Sequence, residues 1–173
     1  MKETLEAIHQ MRVEGVIGAY AIGGAVGATF YLEPVATLDV DVFVAFEKQA
    51  GVSLISLAPI YRHLKARGYA LRGEYVVIGK WPVQFLPTSD ALGEEAVSEA
   101  VDVKVEGTAT RVITAEHLVA IALQLGRGKD HARILQFIEA GILDMARLRD
   151  ILKRHGLADK WTLFERRFLE GGA

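Results

Sequence analysis

Asp39 and Asp41 stand two residues apart in Thr37-Leu38-Asp39-Val40-Asp41-Val42-Phe43-Val44, a run whose other residues after Thr37 are all apolar. Side chains alternate along a β-strand, so this spacing predicts two carboxylates on one face and valines on the other. Two anions held together in an apolar strand repel each other and lose hydration, and a cation between them relieves both costs. Oxygen-only ligands suit a hard divalent ion, with Mg²⁺ the natural candidate; the competing role for the pair is capping or hydrogen bonding at a strand start. Upstream, Ala19-Tyr20-Ala21-Ile22 closes on Gly23-Gly24, where missing side chains would let a phosphate approach the backbone amides. A glycine pair alone marks turns of every kind, so this one draws its meaning from the aspartates that follow.

The elements that must position these residues follow from periodicity. Residues 3–13 predict an amphipathic helix with Leu5, Ile8 and Met11 on one stripe, and residues 18–22 a strand. Small residues in 25–32 predict a buried helix that ends near Pro34. The aspartates then open a strand over 39–46. A helix is expected over 54–67, with Leu57, Ile60, Tyr61 and Leu64 inward and Gly68 as its stop. Strands at 74–79 and 83–86 predict a hairpin turning through Lys80-Trp81-Pro82, followed by strands at 102–105 and 108–113.

From Thr114 onward the pattern is helical. Thr114 is the expected N-cap of a helix with Leu118, Ile121, Ala122 and Leu125 on its stripe, broken by Gly126-Arg127-Gly128. Further helices are expected over 129–140, 144–154 and 161–169. The fold class expected is therefore α+β, a mixed β-sheet flanked by helices with a C-terminal helical subregion. With neither a low-complexity linker nor an internal repeat, residues 1–173 read as a single domain, about 1–113 forming the α/β core and about 114–173 a helical extension.

Composition bounds the function. The chain has 173 residues, 51% hydrophobic and 24% charged, which suits one globular domain. A net charge of −2 argues against a protein that coats nucleic acid, so any such contact must be local. Absence of Cys removes disulfides, thiolate zinc sites and cysteine nucleophiles. Acids near the N-terminus, where a signal peptide is basic, and the lack of an 18-residue apolar run make a cytoplasmic protein without a membrane segment the expectation. His9, His63, His117, His131 and His155 are scattered, are expected mostly at surfaces or interfaces, and are assigned to no metal. Arg147, Arg149, Lys153, Arg154, Arg166 and Arg167 recur on the last helices and read as a solvated face, with an RNA-binding patch the alternative.

An apolar residue before Gly-Gly, fourteen intervening residues, then Asp39-Val40-Asp41-Val42 resembles the motif order of the nucleotidyltransferase superfamily with the DNA polymerase β-like fold. Thr37, two residues before Asp39, matches the Thr-x-Asp-x-Asp form of abortive-infection toxin-type nucleotidyltransferases, so the chain looks most similar to these small bacterial toxin-antitoxin-like proteins. The resemblance covers residues 15–90. It implies that Gly23 and Gly24 hold the triphosphate of a bound nucleoside triphosphate, that Asp39 and Asp41 are both catalytic and Mg²⁺ ligands, and that Thr37 supports their strand. It also implies a third carboxylate on a later strand, completing a site that aligns an attacking hydroxyl and stabilises the leaving pyrophosphate.

The position expected for that third carboxylate holds Gln84, a weak oxygen ligand that cannot act as a base. Glu74 and Asp90 are the acids able to compensate. Val35 stands where relatives often carry Arg. Arg127-Gly128-Lys129-Asp130-His131-Ala132-Arg133 resembles the basic helix start that such proteins place near the nucleotide, which makes Lys129 and Arg133 expected triphosphate contacts. The reading is Mg²⁺-dependent transfer of a nucleotide to a hydroxyl on RNA, protein or a small molecule. Its alternative is a degenerate nucleotide-binding or protein-interaction module that has lost the third carboxylate.

Overall fold

Alternation along the strands decides which face of the sheet is dry and which carries the acids. The computed structural model describes residues 1–33, 39–46 and 56–170, and the chain divides into two compact units, Met1–Ile113 and Thr114–Ala173. In the first unit the order is α1 (Lys2–Val13), β1 (Tyr20–Ile22), α2 (Gly24–Ala28), β2 (Val40–Val44), α3 (Ala58–Ala66), β3 (Ala70–Arg72), β4 (Tyr75–Ile78), β5 (Trp81–Pro87), α4 (Ala91–Ser98), β6 (Val101–Val105) and β7 (Thr108–Val112). Among the described residues seven strands form one sheet in the order β3-β4-β5-β2-β1-β7-β6. The β2–β5 and β1–β7 pairs run parallel and the other neighbours antiparallel, so the sheet is mixed.

Val40, Val42 and Val44 point into the core and share one buried cluster with Leu5, Ile8 and Met11 of α1 and Ile60 and Leu64 of α3. Asp41 and Phe43 lie on the opposite, half-buried face. A slip of one residue would turn the three valines to water and drive Asp41 into the core. Losing about 2 kcal/mol for each valine, and several kcal/mol for desolvating the carboxylate, opposes that slip. Thr4 fixes α1 to the sheet, its buried hydroxyl donating to the Ile78 carbonyl at 2.9 Å.

Several elements differ from their sequence expectations for local reasons. The expected helix over 25–32 shortens to five residues: Thr29 donates its hydroxyl to the Val26 carbonyl at 2.7 Å, and the Phe30 and Tyr31 amides bond to carbonyls three residues back. The β4–β5 hairpin turns through Gly79-Lys80, with Gly79 at φ +63°, while Trp81 and Pro82 already pair with β4. The strand over the aspartates is Val40–Val44, leaving Asp39 just before it. β3 and α4 join the expected elements; Asp90 caps α4 by accepting the Gly93 amide at 2.7 Å. Residues 54 and 55, the expected start of α3, lie outside the described residues, as does Pro34.

The second unit holds α5 (Ala115–Leu125), α6 (Gly128–Glu139), α7 (Met145–Arg154) and α8 (Ala158–Phe168). Thr114 caps α5, and Gly126 ends it in the left-handed conformation at φ 65°. Ile134, Phe137, Leu148, Ile151, Trp161 and Phe164 are buried within this unit. His117 departs from the expectation of surface histidines: it is fully buried, its Nδ1 2.8 Å from the Thr114 hydroxyl. No helix of the described residues is long and apolar enough to cross a membrane.

Candidate metal and nucleotide site

β2 lies between β1 and β5, which sets the neighbours of its acidic face. Asp41 is in register with Gln84 on β5, and Gln84 with Tyr75 on β4, so the three half-buried side chains form one row across three strands. Asp39 precedes the row by two residues, and the Tyr75 hydroxyl donates to its carboxylate. Partial desolvation, then the charges of Asp39, Glu74 and Asp41, push the Tyr75 phenol above its ordinary value of 10.0. Three carboxylates thus bear on a single phenol.

Glu74 reaches this face from the turn between β3 and β4. Its Oε2 accepts from Gln84 Nε2 at 2.7 Å, and its main-chain carbonyl accepts from the Tyr61 hydroxyl of α3 at 3.4 Å.

The glycine turn abuts the same carboxylate. Gly23 continues the β1–β2 ladder, its amide donating to the Asp41 carbonyl at 2.9 Å. Gly24 has φ +57°, and a Cβ placed on it would fall on the Asp41 carboxylate; one on Gly23 would stand 2.5 Å from Phe43 Cε2. Only residues without side chains let β2 approach this closely, so the turn and the acid are adjacent by construction.

Asp39 and Asp41 offer carboxylate oxygens in a half-buried setting, with the Gln84 amide and Tyr75 phenol in the row beside them and Glu74 exposed beyond Gln84. That donor chemistry fits a hard divalent cation such as Mg²⁺ and disfavours a soft one.

No family model matches the sequence, and no curated protein matches it. Among solved structures, the chain is similar to the crystal structure of an antigenic nucleotidyltransferase-like protein from Paracoccidioides brasiliensis, with a TM-score of 0.56, 14% identity, and coverage of 91% of this chain and 89% of that one. The fold is nucleotidyltransferase-like. At that identity the likeness carries the fold alone.

Within this nucleotidyltransferase-like fold, the first unit brings together Gly23, Gly24, Asp39, Asp41, Glu74 and Gln84. Asp90 is engaged as the α4 cap instead. Thr37 and Val35 lie outside the described residues. Lys129 and Arg133 sit one turn apart on α6 of the second unit, Lys129 exposed and Arg133 half-buried. Their neighbour Arg127 grips the buried Asp130 through Nε at 2.6 Å and Nη2 at 3.1 Å. Tyr75 is the residue that sequence reading misses. Its only signal is the alternation of Tyr75 and Val77 against the buried Val76 and Ile78, which gives a face and no partner.

Proposed function

We propose that this chain binds a nucleoside triphosphate with Mg²⁺ held by Asp39 and Asp41, and transfers its nucleotidyl group to a hydroxyl acceptor on RNA, protein or a small molecule. The carrying observation is the contact between the Asp41 carboxylate and the Gly24 turn, which sets a cation-binding acid beside a side-chain-free backbone surface. Bound Mg²⁺ supplies neutralisation of phosphate charge. The space beside Gly24 is taken by the Asp41 carboxylate itself, and the Gly23 amide is spent on the ladder, so the phosphates meet the turn across Asp41 and its bound cation. In the transfer, the acceptor oxygen bonds to the α-phosphorus, the bond to the β,γ-pyrophosphate breaks, and the hydroxyl proton passes to a carboxylate, because Gln84 is a neutral amide.

The role of Thr37 beside Asp39, of Lys129 and Arg133 as triphosphate contacts, and the kinship with toxin-type proteins rest on the sequence resemblance. Fold alone does not fix the reaction. The second reading, a module that binds nucleotide without turnover, is favoured by one observation: the residue in register with Asp41 on β5 is Gln84 and not an acid. Incubation with α-labelled NTPs and total RNA, or with the chain itself as acceptor, separates the two. Covalent label that needs Mg²⁺ and vanishes in Asp39→Asn supports transfer; bound nucleotide with no covalent label supports the module.

A further inference from the structure

We infer that the helical unit carries a binding site of its own, where α5, α6 and α8 meet, for a small aryl anion: an aromatic ring with a carboxylate or sulfonate attached directly to it. The inference uses no residue of the proposed transfer site.

A cavity of about 360 Å³ lies between these helices, within the range of about 300–1,000 Å³ usual for small-ligand sites. Its wall is aromatic. The rings of His131, Phe164 and Phe168 stand 4.9–5.7 Å apart, centroid to centroid, and are tilted to one another by 39–53°. Rings attract at such spacings through their faces and edges as well as by burial, so a further ring gains a contact that an aliphatic chain cannot make. At the mouth Leu125 is 53% exposed and Leu163 63% exposed, and a flat apolar body laid there would take part of both leucines out of water.

Charge decides the rest. Among the described residues that line the cavity, Lys160 and Arg167 are cations and none is acidic. Asp130, beside His131 in sequence, is buried and held by Arg127 Nε at 2.6 Å. The Lys160 ammonium is tethered to the end of α5 by donating to the Gln124 carbonyl at 3.0 Å, and an ammonium has further donors to give. The Arg167 guanidinium lies over the Phe168 ring, 5.1 Å from its centroid. Stacking uses the flat face of a guanidinium and leaves the N–H donors in its plane for a forked grip on an oxyanion. Because this cation sits against the ring wall, the anion it receives must be attached to the ligand's own ring, with no sugar or long spacer between.

Anilinonaphthalene sulfonate, a fluorescent aryl sulfonate, serves as the probe, with phenylnaphthylamine as its uncharged counterpart and thermal melting as the check on folding. The full chain should bind the sulfonate saturably at one site. Arg167→Gln should weaken that binding about tenfold and leave the uncharged probe unaffected. Arg166→Gln, which removes an exposed cation outside the cavity lining, should change neither. Leu163→Glu, which sets an acid at the exposed mouth, should weaken the sulfonate as well. No saturable binding by wild type, or equal effects of Arg167→Gln and Arg166→Gln, overturns the inference. Self-association is the competing use of the mouth: a wild-type dimer in sedimentation equilibrium that excludes the sulfonate and dissociates in Leu163→Glu would also overturn it.

Discussion

The carboxylate of Asp41 occupies the space that any side chain at Gly24 would need. Gly24 also holds φ +57°, a conformation that costs an L-residue about 1–2 kcal/mol. Gly24→Ala therefore suffers both backbone strain and a collision that must push Asp41 aside. Gly68→Ala is the control, since Gly68 has φ +85° with nothing within 4 Å. Gly24→Ala should melt well below Gly68→Ala and lose Mg²⁺-dependent nucleotide binding, while Gly68→Ala keeps it. Equal melting and intact binding in both would mean that the turn and the acid are not coupled.

Asp90 separates structure from site. Its carboxylate caps α4, so Asp90→Ala should cost about 1 kcal/mol of stability and leave metal affinity unchanged. Loss of metal affinity without loss of stability would make Asp90 a ligand and not a cap.

Tyr75 gives a pH signature of the carboxylate cluster. Its phenol is raised above 10.0 by partial desolvation and then by Asp39, Glu74 and Asp41. The folded chain holds this proton more tightly than the unfolded chain, so the contribution to stability is intact below pH about 10 and is lost as pH rises through the folded value. Phenolate absorbance of wild type minus Tyr75→Phe should show a midpoint above that of free tyrosine. Asp39→Asn should lower it, and an unmoved midpoint would mean that Asp39 does not face Tyr75.

How far the site can be read without a structure depends on the range of the interaction. The two faces of β2 are legible because alternation of Asp39, Asp41 and Phe43 with Val40, Val42 and Val44 is a property of adjacent residues. The ties from Gln84 to Glu74 and from Tyr75 to Asp39 are not legible, because the first depends on the β4–β5 register set by the Gly79-Lys80 turn and the second also on the parallel pairing of β2 with β5. β3 carries almost no signal, being three exposed residues with no buried alternate. α4 does carry one: Asp90 as cap, then Leu92, Ala96 and Val97 buried at helical spacing. The mixed sheet and flanking helices follow from local pattern, whereas the seven-strand order requires the parallel β1–β7 and β2–β5 pairings, which join segments far apart in sequence.

Calorimetric titration of ATP, GTP, CTP and UTP, with and without Mg²⁺, on wild type and Asp39→Asn/Asp41→Asn tests the central claim most directly. The account predicts binding of at least one nucleotide that requires Mg²⁺ and disappears in the folded double variant. Binding that persists in that variant, or no binding of any of the four by wild type with Mg²⁺ present, would contradict it.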